Sequence, residues 1–214
     1  MNAKCPRLRL GELGYTCGQM ENEAKINLLA RVARSAATPP GVPADPSKPV
    51  SILSLAAASY GARPDDDATV PTGFDPMAVA LFVAIVEGAY LVASADGVFD
   101  AEEQRTFERV VVTACGGAVA PKQLAGLIAD LKDQLTEDGL DARVAMLAKQ
   151  VTKKDHAREV LRIAALLAQT SDDVSDVERA VLAKIATACG LAVDDVDAAL
   201  RDVSDAVRAH LPAT

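Results

Sequence analysis

The chain has 214 residues, of which 50% are hydrophobic and only 3% aromatic, with no tryptophan. This composition is sufficient to bury a core, and it favours closely packed helices of Ala, Leu, Val and Ile over a β-sandwich. The formal net charge of −8 repels phosphate backbones, so nucleic acid is excluded as an expected partner.

Residues 1–76 are predicted to form an N-terminal arm that precedes the folded domain. One short amphipathic helix is expected at 20–37. Eight of the eleven prolines lie between Pro39 and Pro76, a density typical of a flexible linker, so we expect residues 38–74 to be mobile apart from a brief helix at 52–60. This arm carries eight basic and eight acidic residues and contributes nothing to the net charge.

Residues 77–214 are predicted to fold as a compact all-α bundle of about seven helices. Apolar residues recur at helical spacing, and the short connections between these segments imply antiparallel neighbours. This part of the chain carries 14 basic and 22 acidic residues, so the net negative charge belongs to it. The predicted helices, bounded to within about 2 to 4 residues, cover 77–95, 101–115, 121–135, 140–152, 155–169, 176–188 and 194–209.

The first of these helices has a length close to the roughly 20 residues that cross a bilayer. Glu87 falls in its middle, and acidic rather than basic residues flank it at Asp75 and Asp96. A central helix buried inside the bundle is therefore the preferred interpretation, with no direct membrane insertion.

Two acidic segments of similar sequence indicate an internal duplication. Residues 95–103 read Ala-Asp-Gly-Val-Phe-Asp-Ala-Glu-Glu and lead into Thr-Ala-Cys-Gly at 113–116. Residues 171–178 read Ser-Asp-Asp-Val-Ser-Asp-Val-Glu and lead into the same four residues at 187–190. Each copy is expected to join an apolar helix to an amphipathic one through a turn that is rich in carboxylates.

Helix capping accounts for several of these acids. Ser175 and Glu178 have the spacing of a capping box, in which the two side chains satisfy each other's backbone amides at the start of a helix. Asp100 and Glu103 have the same spacing, with Asp as the cap. Capping without any ligand is the preferred interpretation for Asp176 and Glu178.

Capping does not account for Asp96 or Asp172, which follow the preceding helix, where negative charge is unfavourable. A hard cation such as Ca²⁺ or Mg²⁺ would offset this cost, with Gly97 allowing a turn of positive φ. A solvated aspartate paired with a nearby Lys or Arg is the alternative. A metal site is preferred at the first turn and capping at the second. The candidate metal ligands are Asp96, Asp100, Glu102, Glu103, Asp172, Asp173, Asp176 and Glu178.

The Ala-Asp-Gly-hydrophobic-hydrophobic-Asp-x-Glu-Glu pattern after an alanine-rich helix resembles the tellurite-resistance TerB-like family over residues 77–210. The resemblance implies a compact helical domain with internal duplication that binds divalent cations through acidic residues. It also implies membrane-associated protein partners in a stress response and no established enzymatic activity. The second copy departs from the pattern, because Ser-Asp-Asp at 171–173 stands in place of Ala-Asp-Gly.

The cysteines and histidines suggest neither a disulfide scaffold nor an active site. Cys115 and Cys189 are expected to be small buried residues at equivalent helix ends, and a reduced cytoplasmic setting follows. His156 and His210 have no motif around them, so solvated or capping roles are preferred to catalysis.

Two functions remain open from the sequence. One is a non-catalytic TerB-like protein that binds divalent cations in tellurite or metal stress. The other is a helical adaptor whose acidic surface and N-terminal arm recruit partners without any metal. For both functions we expect a cytoplasmic protein with a protein partner, including one at the inner face of the membrane.

Overall fold

In a computed structural model of the chain, the described residues are 17–35, 51–62, 75–97, 99–169 and 174–210. Within them the backbone forms nine α-helices and no strand, so the all-α prediction is confirmed for this part of the chain. Two of these helices precede residue 76, in the part of the chain where the sequence predicted only short helices at 20–37 and 52–60. The helices are α1 Cys17–Arg34, α2 Ile52–Gly61, α3 Pro76–Ala93, α4 Ala101–Ala114, α5 Pro121–Asp138, α6 Leu140–Gln150, α7 Lys154–Ala168, α8 Asp176–Ala188 and α9 Asp194–His210.

Helix α3 is the centre of the bundle, as the sequence predicted. Asp75 caps it by accepting a hydrogen bond from the Met77 amide at 2.9 Å, and Pro76 occupies the first turn. Among the described helices, α3 alone is long and apolar enough to cross a bilayer, with a mean hydropathy of 2.0, yet 61% of it is buried in the bundle. Its main partner is α7, which approaches closely because Gly88 has no side chain: a Cβ atom there would lie 2.7 Å from a Val160 methyl group.

Helices α1 and α2 belong to the same core, which corrects the prediction of an arm over residues 1–76. Ile26 and Leu29 of α1 and Leu53 of α2 are each at most 2% exposed. Helix α1 packs against α4 and α9, and α2 packs against α3. The physical reason is that α1 and α2 each have a short apolar face that requires burial, whatever the proline content of the residues around them. Most of the predicted mobile segment, residues 38–50 and 63–74, lies outside the described residues.

A buried arginine of α7 attaches α1 to the bundle. The Arg162 guanidinium donates to the carbonyl oxygens of Val32 at 3.1 Å and Ala33 at 3.0 Å, at the end of α1. It also donates to both carboxylate oxygens of Glu159, at 2.8 and 3.0 Å. The carbonyl groups that a helix leaves unsatisfied at its C-terminus are thereby paired with a cation inside the core.

Candidate functional site

The first acidic turn is attached to the core by an aromatic side chain. Phe99 lies edge-on to Tyr90 of α3, with ring centroids 5.5 Å apart, and edge-on to Phe107 of α4 at 5.8 Å. Gly97 has a φ of 80°, which confirms the predicted left-handed turn. Val98 lies outside the described residues. The turn is therefore positioned by packing on both sides of Gly97, and its acidic residues face solvent.

Asp100 and Glu103 form a reciprocal capping box at the start of α4, as the spacing predicted. An Asp100 carboxylate oxygen accepts from the amides of Glu102 at 2.7 Å and Glu103 at 2.9 Å, and Glu103 accepts from the Asp100 amide at 3.0 Å. The hydrogen bonds from the backbone amides of Glu103 and then Glu102 lower the pKa of Asp100 below its ordinary value. These two carboxylates are therefore directed toward their own helix.

The second acidic turn contains the predicted capping box as well. The Ser175 hydroxyl oxygen accepts from the Glu178 amide at 3.2 Å, and Glu178 accepts from the Ser175 amide at 2.8 Å and from its hydroxyl at 2.9 Å. Glu178 is only 9% exposed, whereas Asp176 is exposed in the first turn of α8. Capping is confirmed for Glu178. Asp172 and Asp173 lie outside the described residues.

The predicted metal ligands are not assembled into a three-ligand set in the described part of the chain. Asp96 and Glu102 are exposed, while Asp100 and Glu103 bond to backbone amides. Among the described residues, no three His, Cys, Asp or Glu side chains lie where they could together hold a metal ion. The proposed Ca²⁺ or Mg²⁺ site therefore stays a prediction.

The cysteines at the ends of α4 and α8 are free thiols. Cys115 is buried, and desolvation raises its pKa to about 12, so this residue behaves as the small apolar residue that was predicted. Cys189 is only half-buried, and desolvation raises its pKa too. The glycine after each cysteine has a positive φ, 60° at Gly116 and 71° at Gly190, which ends the helix.

The two histidines occupy helix ends. A ring nitrogen of His210 lies 2.8 Å from the Ala206 carbonyl oxygen in the last turn of α9, which agrees with the capping role. The pKa of His156 is lowered, first by desolvation and then by the charge of Lys153. Neither arrangement resembles a catalytic pair.

A buried ion pair in the core was not anticipated from the sequence. Glu87, 1% exposed in the middle of α3, accepts a hydrogen bond from Nε of Arg143 in α6 at 2.8 Å. Nη2 of Arg143 lies 2.6 Å from the same carboxylate oxygen. Arg143 also donates to Asp138 at the end of α5, at 3.2 Å. Desolvation raises the pKa of Glu87 even though Arg143 opposes this shift. The second carboxylate oxygen of Glu87 is buried and has no hydrogen-bond partner among the described residues.

The sequence contains a partial signal for these interior charges. A glutamate inside an apolar helix requires a cation, but Arg143 lies 56 residues away in the chain and no spacing rule identifies it. Glu159 and Arg162, three residues apart on the amphipathic helix α7, could have been proposed as a local pair. The contact of Arg162 with the end of α1 depends on tertiary structure alone.

Comparisons with known proteins identify no relative of this chain. A scan against protein-family models gives no match, and searches of curated proteins and of solved structures give no significant match.

Proposed function

We propose that this protein is a non-enzymatic helical adaptor, similar to the TerB-like family, that recruits a protein partner through its acidic surface in a metal or oxyanion stress response. The observation that carries the proposal is the use of the turn carboxylates. Asp100 and Glu103 satisfy amides at the start of α4, and Glu178 does the same for α8. Carboxylates engaged in this way stabilise a scaffold and are less available to an ion.

The two capping boxes also support an internal duplication as part of the proposal. Asp100 and Glu103 open α4 after the long buried helix α3, and Ser175 and Glu178 open α8 after the long buried helix α7. Both amphipathic helices end at a cysteine that is followed by a glycine of positive φ. A duplicated pair of helices accounts for the recurrence of these features.

Helix α9 presents the proposed partner-binding surface. Its apolar side, including Val196 and Leu200, is buried against the bundle, whereas Asp202 and Asp205 are exposed on the other side. Asp205 pairs with Arg208 at 3.2 Å, but the five aspartates of α9 outnumber its two arginines. This excess of carboxylates favours a basic protein surface and accelerates its encounter. Cytoplasmic loops of membrane proteins carry an excess of Lys and Arg, so a membrane-associated partner at the inner face supplies the complementary charge.

Site-specific photo-crosslinking in cells tests this surface. A crosslinker at position 202 should capture a partner that a crosslinker at the exposed Ala142 of α6 does not. The captured protein is then purified and titrated with the wild type and with the Asp202→Lys/Asp205→Lys variant. The variant should bind at least about tenfold more weakly, and wild-type binding should weaken with salt.

The matched control is Asp130→Lys/Asp133→Lys on α5. It makes the same change of charge at two exposed aspartates with the same spacing of three residues. This control should bind like the wild type. Equal loss in the two variants would contradict a specific role of α9 and would leave only a general effect of net charge.

A cation site at the first turn is the second candidate, supported by the position of Asp96. This exposed carboxylate lies just beyond the C-terminus of α3, where the helix dipole disfavours negative charge, and the next residue, Gly97, has a positive φ. Ca²⁺ or Mg²⁺ bound by Asp96 with acidic residues of α4 would remove that penalty.

Thermal melts distinguish the two candidates. A cation that binds only the folded protein raises the melting temperature, and Asp96→Asn should abolish this rise. The control is Asp130→Asn, which changes an exposed aspartate of α5 and should keep the rise in melting temperature. If the wild type melts at the same temperature in chelator and in millimolar Ca²⁺ or Mg²⁺, the cation site is excluded and the adaptor proposal stands.

A further inference from the structure

Two methionines in the described part of the chain have exposed side chains. Met77, in the first turn of α3, is 63% exposed, and Met146, on α6, is 42% exposed. An exposed thioether is accessible to peroxides, which convert methionine to its sulfoxide. Both residues therefore meet the first requirement for an oxidation site. They differ in what surrounds the sulfur atom, and this difference decides what oxidation does to the fold.

The sulfur of Met146 contacts the arginine of the buried ion pair. Nη1 of Arg143 lies 3.3 Å from Sδ of Met146 and 3.2 Å from a carboxylate oxygen of Asp138. Nε of the same guanidinium donates to Glu87 at 2.8 Å. Met146 is thus bound to the cation that neutralises Glu87. Met77, by contrast, lies ten residues before Glu87 in the chain, or about 15 Å away along α3.

One donor of Arg143 is directed to a poor acceptor. Nη1 carries two hydrogens, and its acceptors among the described residues are Asp138 and the Met146 sulfur. A thioether accepts hydrogen bonds only weakly. A sulfoxide oxygen is polar, so it accepts a charge-assisted hydrogen bond from a guanidinium far more strongly. Oxidation of Met146 therefore converts the weakest contact of Arg143 into a strong one.

We propose that Met146 is a peroxide-sensitive modification site whose sulfoxide binds Arg143 and holds α6 more firmly against α3. The sulfur lone pair attacks one oxygen of hydrogen peroxide, so that an S–O bond forms as the O–O bond breaks. The sulfur loses two electrons to the peroxide. The proton on the transferred oxygen passes to the departing hydroxide, which leaves as water. Methionine sulfoxide reductases reverse the modification, so the site can return to the thioether.

The surroundings of Met146 allow the sulfoxide to form without breaking the ion pair. The side chain is partly exposed and has three rotatable bonds, so the sulfur can move outward and leave the new oxygen beside Nη1. Arg143 is only 8% exposed and stays bound to Glu87 and Asp138 through its other N–H groups. Because Met146 lies on α6, the modification is separate from the acidic surface of α9 and does not rest on partner binding there.

Peptide-resolved hydrogen exchange of the full chain, before and after treatment with hydrogen peroxide, tests the proposal. Mass spectrometry of the same peptides should show the gain of an oxygen atom at Met146. In the oxidised wild type, amide exchange in α6 should slow by at least about threefold, because opening α6 then breaks an additional bond to a charged group. Met146→Leu should show no slowing in α6 after the same treatment, although Met77 is still oxidised.

Met146→Gln provides a test without peroxide. The carbonyl group of Gln occupies the position of the sulfoxide S–O group along the side chain, so this variant should slow exchange in α6 before any oxidation. The matched control is Met77→Gln, which makes the same change at an exposed methionine of α3. It should leave exchange in α6 unchanged.

Several results would overturn the proposal. Met146 could stay unmodified under conditions that oxidise Met77, or exchange in α6 could stay the same once Met146 is oxidised. Faster exchange in α6 after oxidation would show that the sulfoxide draws Arg143 away from Glu87 instead of holding it there. Equal slowing in Met77→Gln and Met146→Gln would show that the contact with Arg143 is not the cause.

Discussion

The carboxylates of the surface turns and the carboxylate of Glu87 in the core have different roles in stability. The carboxylates of Asp100 and Glu178 accept from backbone amides within three residues of themselves, whereas Glu87 is neutralised by an arginine on another helix. A cap can be exchanged for water when it is lost, but a buried charge without its partner has no substitute. We therefore expect the acidic residues of the two turns to matter less for stability than Glu87, which lies inside an apolar helix.

Arg143→Met should have the largest effect on stability. It leaves Glu87 buried without a cation, which typically costs about 3 to 5 kcal/mol. Chemical denaturation measures the loss in the free energy of unfolding. The double variant Glu87→Gln/Arg143→Met should recover much of it, because no buried charge then remains. Additive losses in the double variant would show that the pair is not the cause.

The stability loss of Arg143→Met should depend on pH. Without Arg143 the pKa of Glu87 should rise further, since burial already raises it and the arginine opposes the shift. A carboxyl group whose pKa is raised in the folded state binds a proton more strongly there than in the unfolded state. The free energy of unfolding therefore falls as the pH rises from the pKa of the unfolded state toward that of the folded state. The free energy of unfolding lost by Arg143→Met relative to the wild type should therefore be smaller at pH 5 than at pH 8. A deficit that is the same at both would contradict this cause.

Ser175→Ala should have an intermediate effect. Loss of a serine cap costs about 0.5 to 2 kcal/mol, and the amide of Glu178 loses its acceptor. Urea unfolding measures the change. Asp176→Ala is the control, because that exposed side chain lies in the same helical turn outside the capping box, and it should have a smaller effect. The cost of Ser175→Ala should be equal in chelator and in Ca²⁺.

Asp100→Asn should have the smallest effect, visible only through its pH dependence. The pKa of Asp100 is lowered in the folded state, so its stabilising contribution is present above the unfolded pKa and is lost as pH falls through the folded value. The difference in melting temperature between wild type and Asp100→Asn should therefore shrink on acidification. If the difference is the same at neutral and acidic pH, the amides do not stabilise the charged form.

Local features of the site could be predicted where a few neighbouring residues decide them. The capping boxes at Asp100 and Ser175 and the positive φ of Gly97 follow from chemistry within four residues. The position of α1 could not be predicted in this way, because its burial depends on Arg162, about 130 residues later in the chain.

The sequence by itself determined the helical class, the bounds of most helices and their caps, because hydrophobic periodicity and terminal amides are local properties. Tertiary structure alone decided which charges face each other in the core, as with Glu87 and Arg143, and whether α1 and α2 join the bundle. It also decided which apolar residues stay at the surface, since the exposure of Leu55 depends on what packs beside α2. The physical reason is that burial is a property of the whole assembled core.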